Sequence, residues 1–149
     1  MQGTDFSDAV HLLREGFESG VISSVESRKK AIQSILNMLN ENADAVFEAC
    51  KKDLHRCRAE TMSSDLAASR KEARCMLAHM HEWLRDEYVS RTFLSALDTP
   101  YIQRQPLGVV LIFGSWNFPF VSVFEPLIGA LAAASSMLLS TIVPKYLDK

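Results

Sequence analysis

The sequence predicts an α/β fold that is predominantly helical, an incomplete Rossmann-type arrangement with most of its helices before the sheet. Two observations predict this. Apolar residues recur at spacings of three and four along residues 4–88, which is typical of amphipathic helices. After Pro100 the pattern changes to a continuous apolar run at residues 109–113, followed by Gly114 and a segment rich in small residues. A strand buried on both faces, a turn and a helix have this pattern.

The helical half divides into four segments. The first follows a cap at Thr4 or Asp5, and the second begins at a capping box formed by Ser23 and Glu26. A break at residues 40–42 separates the third, and a longer helix starts near Ser64. The predicted apolar positions are Val10, Leu13, Phe17, Ile32, Ile35, Leu36, Leu39, Val46, Phe47, Cys50, Leu54, Leu66, Ala73, Met76, Leu77, Met80, Trp83 and Leu84. The predicted solvated face of the long helix carries Arg70, Lys71, Glu72, Arg74, Glu82 and Arg85.

The second half contains the expected ligand-binding end. Residues 101–105 alternate between two prolines and predict a short edge strand, whereas residues 109–113 predict an inner strand and residues 127–134 a helix. Ligands of such units bind where the strand's carboxyl end meets the helix. The turn lacks the G-x-G-x-x-G spacing of an ordinary dinucleotide site.

Composition excludes several classes of function. The chain has 149 residues, of which 48% are hydrophobic and 23% charged, enough for one packed core. A net charge of -2 gives no field for nucleic acid or an acidic membrane surface. The chain has three cysteines, an odd number, and its first residues do not resemble a secretory signal peptide. Reduced thiols in the cytoplasm are therefore expected for Cys50, Cys57 and Cys75. Because C-x-x-C pairs are missing, we expect no metal site from Cys50, His55 and Cys57.

The segment PLGVVLIFGSWNFPF at residues 106–120 resembles the first cofactor-domain strand and turn of class 3 aldehyde dehydrogenases. The resemblance extends to Lys52-Asp53-Leu54-His55, to residues 125–133 and to residues 142–148, so it covers nearly the whole chain. It implies NAD(P)-dependent oxidation of aldehydes to carboxylic acids. It also implies a division into an N-terminal helical region, residues 1–99, and an incomplete start of the NAD(P)-binding domain, residues 100–149.

The resemblance also implies roles for the residues of the motif. Asn117 matches the family's oxyanion donor and is the expected catalytic residue, whereas Phe113, Gly114, Ser115 and Trp116 are expected to line the cofactor cleft. Where an oxyanion donor of this kind has been removed from an enzyme, the loss of transition-state stabilisation was ~3–4 kcal/mol. An alternative remains open from spacing alone, because asparagine is also a common helix cap and Asn117 precedes a predicted helix.

The chain departs from the family after Ala134. It passes directly to residues 135–139, which resemble a helix beyond the family's ribose-binding turn, so an internal deletion of about a strand and a loop is expected. The strand at residues 109–113 would then lack parallel neighbours. The family's nucleophilic cysteine and glutamate base belong to later sequence, and no cysteine of the helical half is expected to replace the nucleophile.

Three interpretations follow. The first is an aldehyde dehydrogenase family member that is inactive as these 149 residues alone and binds NAD or NADP weakly. The second is a non-catalytic protein that docks on a full-length dehydrogenase subunit to form a dimer. The third is a membrane-anchored fragment, because residues 126–143 carry no charge. We favour the first, because the motif already explains the apolar runs.

Overall fold

The computed structural model describes the backbone of residues 7–142 and the side chains of residues 7–135. Its helices are α1 (Ser7–Glu18), α2 (Val25–Glu41), α3 (Ala43–Leu54), α4 (Arg58–Thr61), α5 (Ala68–Trp83) and α6 (Val121–Ala132). A π-helical segment, Met62–Ala67, joins α4 to α5. The strands are β1 (Glu87–Tyr88), β2 (Tyr101–Ile102), β3 (Val109–Ser115) and β4 (Ser136–Ile142). The α/β class with a predominance of helix is confirmed.

The start of α3 follows the predicted break, but three other helix starts differ. The long helix predicted to start near Ser64 continues a helical run that begins at Arg58, and α6 begins at Val121, six residues before the predicted helix at residues 127–134. At α2 the capping residue differs. The cap is Ser24, whose hydroxyl accepts a hydrogen bond from the Ser27 amide at 3.0 Å, so the predicted box of Ser23 and Glu26 is wrong. The carbonyl of Ser23 instead accepts a hydrogen bond from the guanidinium of Arg28. The predicted caps of the first helix, Thr4 and Asp5, lie outside the described residues.

The core consists of two clusters of buried side chains. The first is formed by Ile32, Leu36, Ala73, Met80, Ile128 and Ala132. The second is formed by Leu39, Val46, Phe47, Cys50 and Leu66. Half-buried Ile35 and Phe124 pack against both clusters. Helix α6, from the second half of the sequence, therefore completes the core of the helical half.

The long helix is less uniform than its pattern predicts. Arg70 was expected on a solvated face, but its guanidinium donates a hydrogen bond to the carbonyl of Leu39 at 2.7 Å. Its Nε is buried without a hydrogen-bond partner. That part of the prediction is wrong, because Arg70 provides a partner for a carbonyl near the end of α2, where helical carbonyls lack intrahelical donors.

Two strand pairs are present in the described part of the chain. Strand β2 pairs antiparallel with β1, which confirms a short strand between the two prolines. Strand β3 pairs in parallel with β4, with Val109 opposite Ser136 and Ser115 opposite Ile142. The expectation that residues 135–139 form a helix and that β3 lacks a parallel neighbour is wrong. Ala134, at φ 60, allows a short return from α6, and β4 then pairs with the backbone of β3.

Strand β3 is not buried on both faces within the described residues. Ile112 is 5% exposed, whereas Leu111 is 49% and Phe113 is 59% exposed. The described elements bury one face and leave the other partly open, so the prediction of two buried faces is wrong for this chain. No helix within residues 7–142 is both long enough and apolar enough to span a membrane.

Candidate functional site

Asn117 lies in the turn that follows β3, two residues past the last strand residue, Ser115. Its side chain is exposed and forms no hydrogen bond with any residue that the structure describes. The position just beyond the carboxyl end of the strand was predicted and is confirmed. The side-chain amide is consequently free to donate hydrogen bonds to a ligand.

The predicted cofactor-cleft residues lie at the same end of β3. Phe113 is 59% and Trp116 is 43% exposed, and the Ser115 side chain is also exposed. Gly114 is buried. Exposed aromatic side chains are thus present near the end of β3, at Phe113, and in the turn, at Trp116. The role of these four residues in cofactor binding stays a prediction.

Helix α6 begins with a carboxylate from a distant part of the chain. Oδ1 of Asp65 accepts hydrogen bonds from the amides of Phe120 at 3.2 Å and Val121 at 3.0 Å. The alternative in which Asn117 caps this helix is wrong, because no local side chain caps it. A negative charge at a helix N-terminus is stabilised by the helix dipole. Because Asp65 occupies this N-terminus, the amides that bind phosphate in many βα units have a partner already.

Arg56 connects the same carboxylate to the turn. Its Nη1 donates to Oδ2 of Asp65 at 2.5 Å, and its Nη2 donates to the backbone carbonyl of Asn117. The guanidinium also lies 4.9 Å from the ring centroid of Phe118. The Asp65 side chain is 0% and the Arg56 side chain 8% exposed, so the pair is buried. The Ser64 hydroxyl adds a contact to Oδ2 of Asp65 at 3.3 Å.

Ser122 closes the turn from within. Its hydroxyl accepts a hydrogen bond from the Ser115 amide at 2.9 Å and donates to the Phe118 carbonyl at 2.6 Å. The backbone on either side of Asn117 is therefore held locally by Ser122 and remotely by Arg56 and Asp65.

Arg56, Asp65 and Ser122 were missed at the sequence level. One signal could have found Asp65. It precedes Ser69, Ala73 and Met80 at helical spacing, so a carboxylate falls in the stripe that the structure buries. A buried charge without a partner is costly, and such a position indicates an ion pair.

The three thiols differ in their surroundings. Cys50 is 2% exposed, and burial raises the pKa of its thiol, which keeps the unreactive protonated form. Cys57 is exposed and Cys75 is half-buried. No group of three or more metal-ligating side chains is found in the described part of the chain.

An apolar concave surface lies at the other end of α6 from the turn of Asn117. This apolar cleft has a volume of about 200 Å³ and is lined by Met76, Met80, Trp83, Leu84, Arg104, Gln105, Ala132 and Ala133. Because α6 runs from Val121 to Ala132, the cleft is at the opposite end of that helix from Asn117. Trp83 is therefore a tryptophan remote from the candidate site.

The sequence is similar to that of a known family over most of its length. The model of the aldehyde dehydrogenase family matches residues 1–141. Aldehyde dehydrogenase family 3 member B1 of Rattus norvegicus is 33% identical over 157 residues, which cover 97% of this chain and 34% of that protein. The dimeric NADP-preferring aldehyde dehydrogenase of the same species is 31% identical, over 98% of this chain and 35% of its own length.

A solved structure shares the fold. The substrate-bound state of Staphylococcus aureus AldH superimposes with a TM-score of 0.85 at 23% identity, over 89% of this chain and 29% of that chain. The chain spans about a third of the length of the relatives it matches. The 157-residue match exceeds the 149 residues of this chain, so this chain lacks residues that the rat relative has within the matched region. From the family model and these relatives, the chain belongs to the aldehyde dehydrogenase family.

Proposed function

We propose that this chain supplies the oxyanion donor and one wall of the cofactor cleft of a class 3 aldehyde dehydrogenase. We further propose that its 149 residues alone do not complete the reaction. The observation that carries the proposal is the free side-chain amide of Asn117 in the turn after β3.

Asn117 suits the stabilisation of a developing negative charge. When a thiolate attacks an aldehyde, the carbonyl oxygen becomes negative, and a fixed amide N–H lowers the barrier more than mobile water does. The backbone of the turn around Asn117 is hydrogen-bonded on both sides, so the backbone that carries this side chain needs little reorganisation. Its side chain has no competing partner among the described residues, so it can turn to a bound substrate.

The fit to NAD or NADP is partial. Such a cofactor supplies the hydride acceptor when bound, and Phe113 and Trp116 offer it exposed aromatic surfaces beside the turn. The start of α6 cannot hold its pyrophosphate without displacing Asp65. The resemblance also implies that a lysine and a glutamate of the family's ribose-binding turn lie within the deletion expected after Ala134. If three polar interactions with the cofactor are missing, at ~0.5–1.5 kcal/mol each, binding should weaken roughly tenfold to a thousandfold.

We therefore expect NADP to bind at Trp116 with a dissociation constant in the millimolar range. The chain has two tryptophans, each 43% exposed, which makes them a matched pair. Fluorescence should be titrated in Trp83→Phe, which keeps only Trp116, and in Trp116→Phe, which keeps only Trp83. Saturable quenching should be limited to the first variant.

The outcomes separate the alternatives. Quenching only at Trp83 would place any binding in the apolar cleft and contradict the proposal. If the quenching of Trp116 fluorescence does not saturate up to the solubility limit of NADP, the proposal that these residues form a wall of the cofactor cleft is contradicted. A micromolar constant would mean that residues of the helical scaffold complete the cofactor site.

A second candidate function, docking on a full-length dehydrogenase subunit, is favoured by the partly open face of β3. Leu111 and Phe113 are about half exposed there, and exposed apolar strand residues are common in interfaces. We expect co-expression with a full-length class 3 enzyme to give a complex that co-purifies. Phe113→Ser should reduce the yield of that complex. An equivalent substitution at exposed Leu12, on α1, should leave the yield unchanged, and a fully monomeric chain would count against docking.

A further inference from the structure

We infer that Arg56 and Asp65 are positioning residues for Asn117, an inference that rests on the function proposed for Asn117. The pair sets where the turn after β3 ends and where α6 begins. One guanidinium joins the Asn117 carbonyl to a carboxylate, and that carboxylate holds the first amides of α6.

The contacts of Asp65 and Arg56 join parts of the chain that are far apart in sequence. Asp65 is 55 residues before Phe120, and Arg56 is 61 residues before Asn117. A local cap would stabilise α6 wherever the helix lay. A remote carboxylate stabilises it only when the turn is seated against the helical half. The backbone of Asn117 is therefore fixed relative to the scaffold as well as to its own strand.

The backbone around Asp65 supports a specialised role. Asp65 lies within the π-helical segment Met62–Ala67, and π-helical turns are frequent at functional sites. The wider turn changes the direction of side chains relative to a continuous α-helix. Asp65 and Ser69 are both fully buried, and the Ser69 hydroxyl donates to the Asp65 carbonyl at 2.8 Å. The segment is thus shaped so that a carboxylate enters the interior beside α6.

Arginine is needed for this geometry. Its planar guanidinium donates in two directions at once, here to Oδ2 of Asp65 and to the Asn117 carbonyl. A lysine ammonium keeps the charge but is a compact point donor without the fixed fork. Arg56→Lys should retain the attraction to Asp65 and lose the connection to Asn117.

The first test uses the unmodified chain without cofactor. Amide hydrogen exchange measured by NMR should be roughly tenfold to a hundredfold slower at Phe120 and Val121 than at Asp44 and Ala45. Both pairs lie in the first turn of a helix without a local side-chain cap. Phe120 and Val121 are the N-cap and first residue of α6, whereas Asp44 and Ala45 are the second and third residues of α3, and of these two helices α6 alone has a remote carboxylate at its start. Equal exchange at the two helix starts would overturn the inference.

The second test separates positioning from mere stability. In Arg56→Lys we expect the unfolding midpoint to recover most of what Arg56→Gln loses, while the NMR signals of the Asn117 backbone and side-chain amide stay displaced. Arg58→Gln is the control, because Arg58 forms an exposed ion pair with Asp44 at 2.6 Å, and it should leave those signals unchanged.

Native Asn117 signals in Arg56→Lys would show that any cation suffices and would overturn positioning by arginine. If neither Arg56 variant folds, the exchange comparison in the unmodified chain decides. Because these measurements need no cofactor, they can succeed while the NADP titration at Trp116 fails, or the reverse.

Discussion

A polypeptide of these 149 residues is expected to give no NAD(P)-dependent oxidation of medium-chain or aromatic aldehydes. The reaction implied by the family needs a cysteine nucleophile and a glutamate base, and the oxyanion donor Asn117 cannot replace them. Loss of the nucleophile from a covalent catalytic set typically lowers the rate on the order of a millionfold. The measurement is NAD(P)H absorbance over time, with a full-length class 3 enzyme as the positive control.

Alkylation of the thiols makes this test more informative. Cys50 is buried and its pKa is raised, so it should react only after unfolding, whereas exposed Cys57 should react in the native chain. Turnover that survives alkylation of the native chain would contradict a mechanism that uses the thiolate of Cys57 or Cys75. Turnover that disappears when Cys57 or Cys75 is modified would show that a cysteine of the helical half acts as the nucleophile.

Local patterns predicted the parts of the fold that depend on local sequence. The apolar stripes of α2 and α3 were predicted because side chains three and four apart share a helix face, and Ile32, Leu36, Val46 and Phe47 are buried. The position of Asn117 was predicted because an apolar run of strand length, ended by glycine, leaves few alternatives. The N-cap residue of α2 was not predicted correctly, because Ser23 and Ser24 are equally suitable by residue type.

Long-range pairing was beyond the sequence. A short apolar run such as residues 135–139 can form either a buried helix or a strand. Its parallel pairing with β3 makes it a strand, and that pairing cannot be read from the local sequence. Arg70 was placed on a charged face, but proximity to the Leu39 carbonyl draws it inward. The helical stripe could have identified Asp65 as a buried carboxylate. The contacts of Arg56 and Asp65 with the turn and with α6 could not be found, because they join segments more than fifty residues apart.

The second prediction with a large expected effect tests whether residues 1–99 and 100–149 unfold as separate domains. Ile128 is 0% exposed and belongs to the cluster that contains Ile32 and Met80. Ile128→Ala should lower the free energy of unfolding by about 2–5 kcal/mol, through reduced burial and the cavity left behind. Such a loss is a large fraction of the stability of a chain this size. Urea denaturation should be followed by far-UV circular dichroism for the helices and by Trp116 fluorescence in the Trp83→Phe background.

Because α6 and the helical half share this cluster, both signals should move to lower urea together. Leu97→Ala, at a side chain 101% exposed, is the control and should change the free energy by no more than about 0.5 kcal/mol. Two separate transitions, with only the Trp116 signal shifted, would show that the two regions unfold as independent domains. A single shifted transition would mean that the sequence boundary divides one cooperative unit, in which the turn of Asn117 is as stable as the helices that hold it.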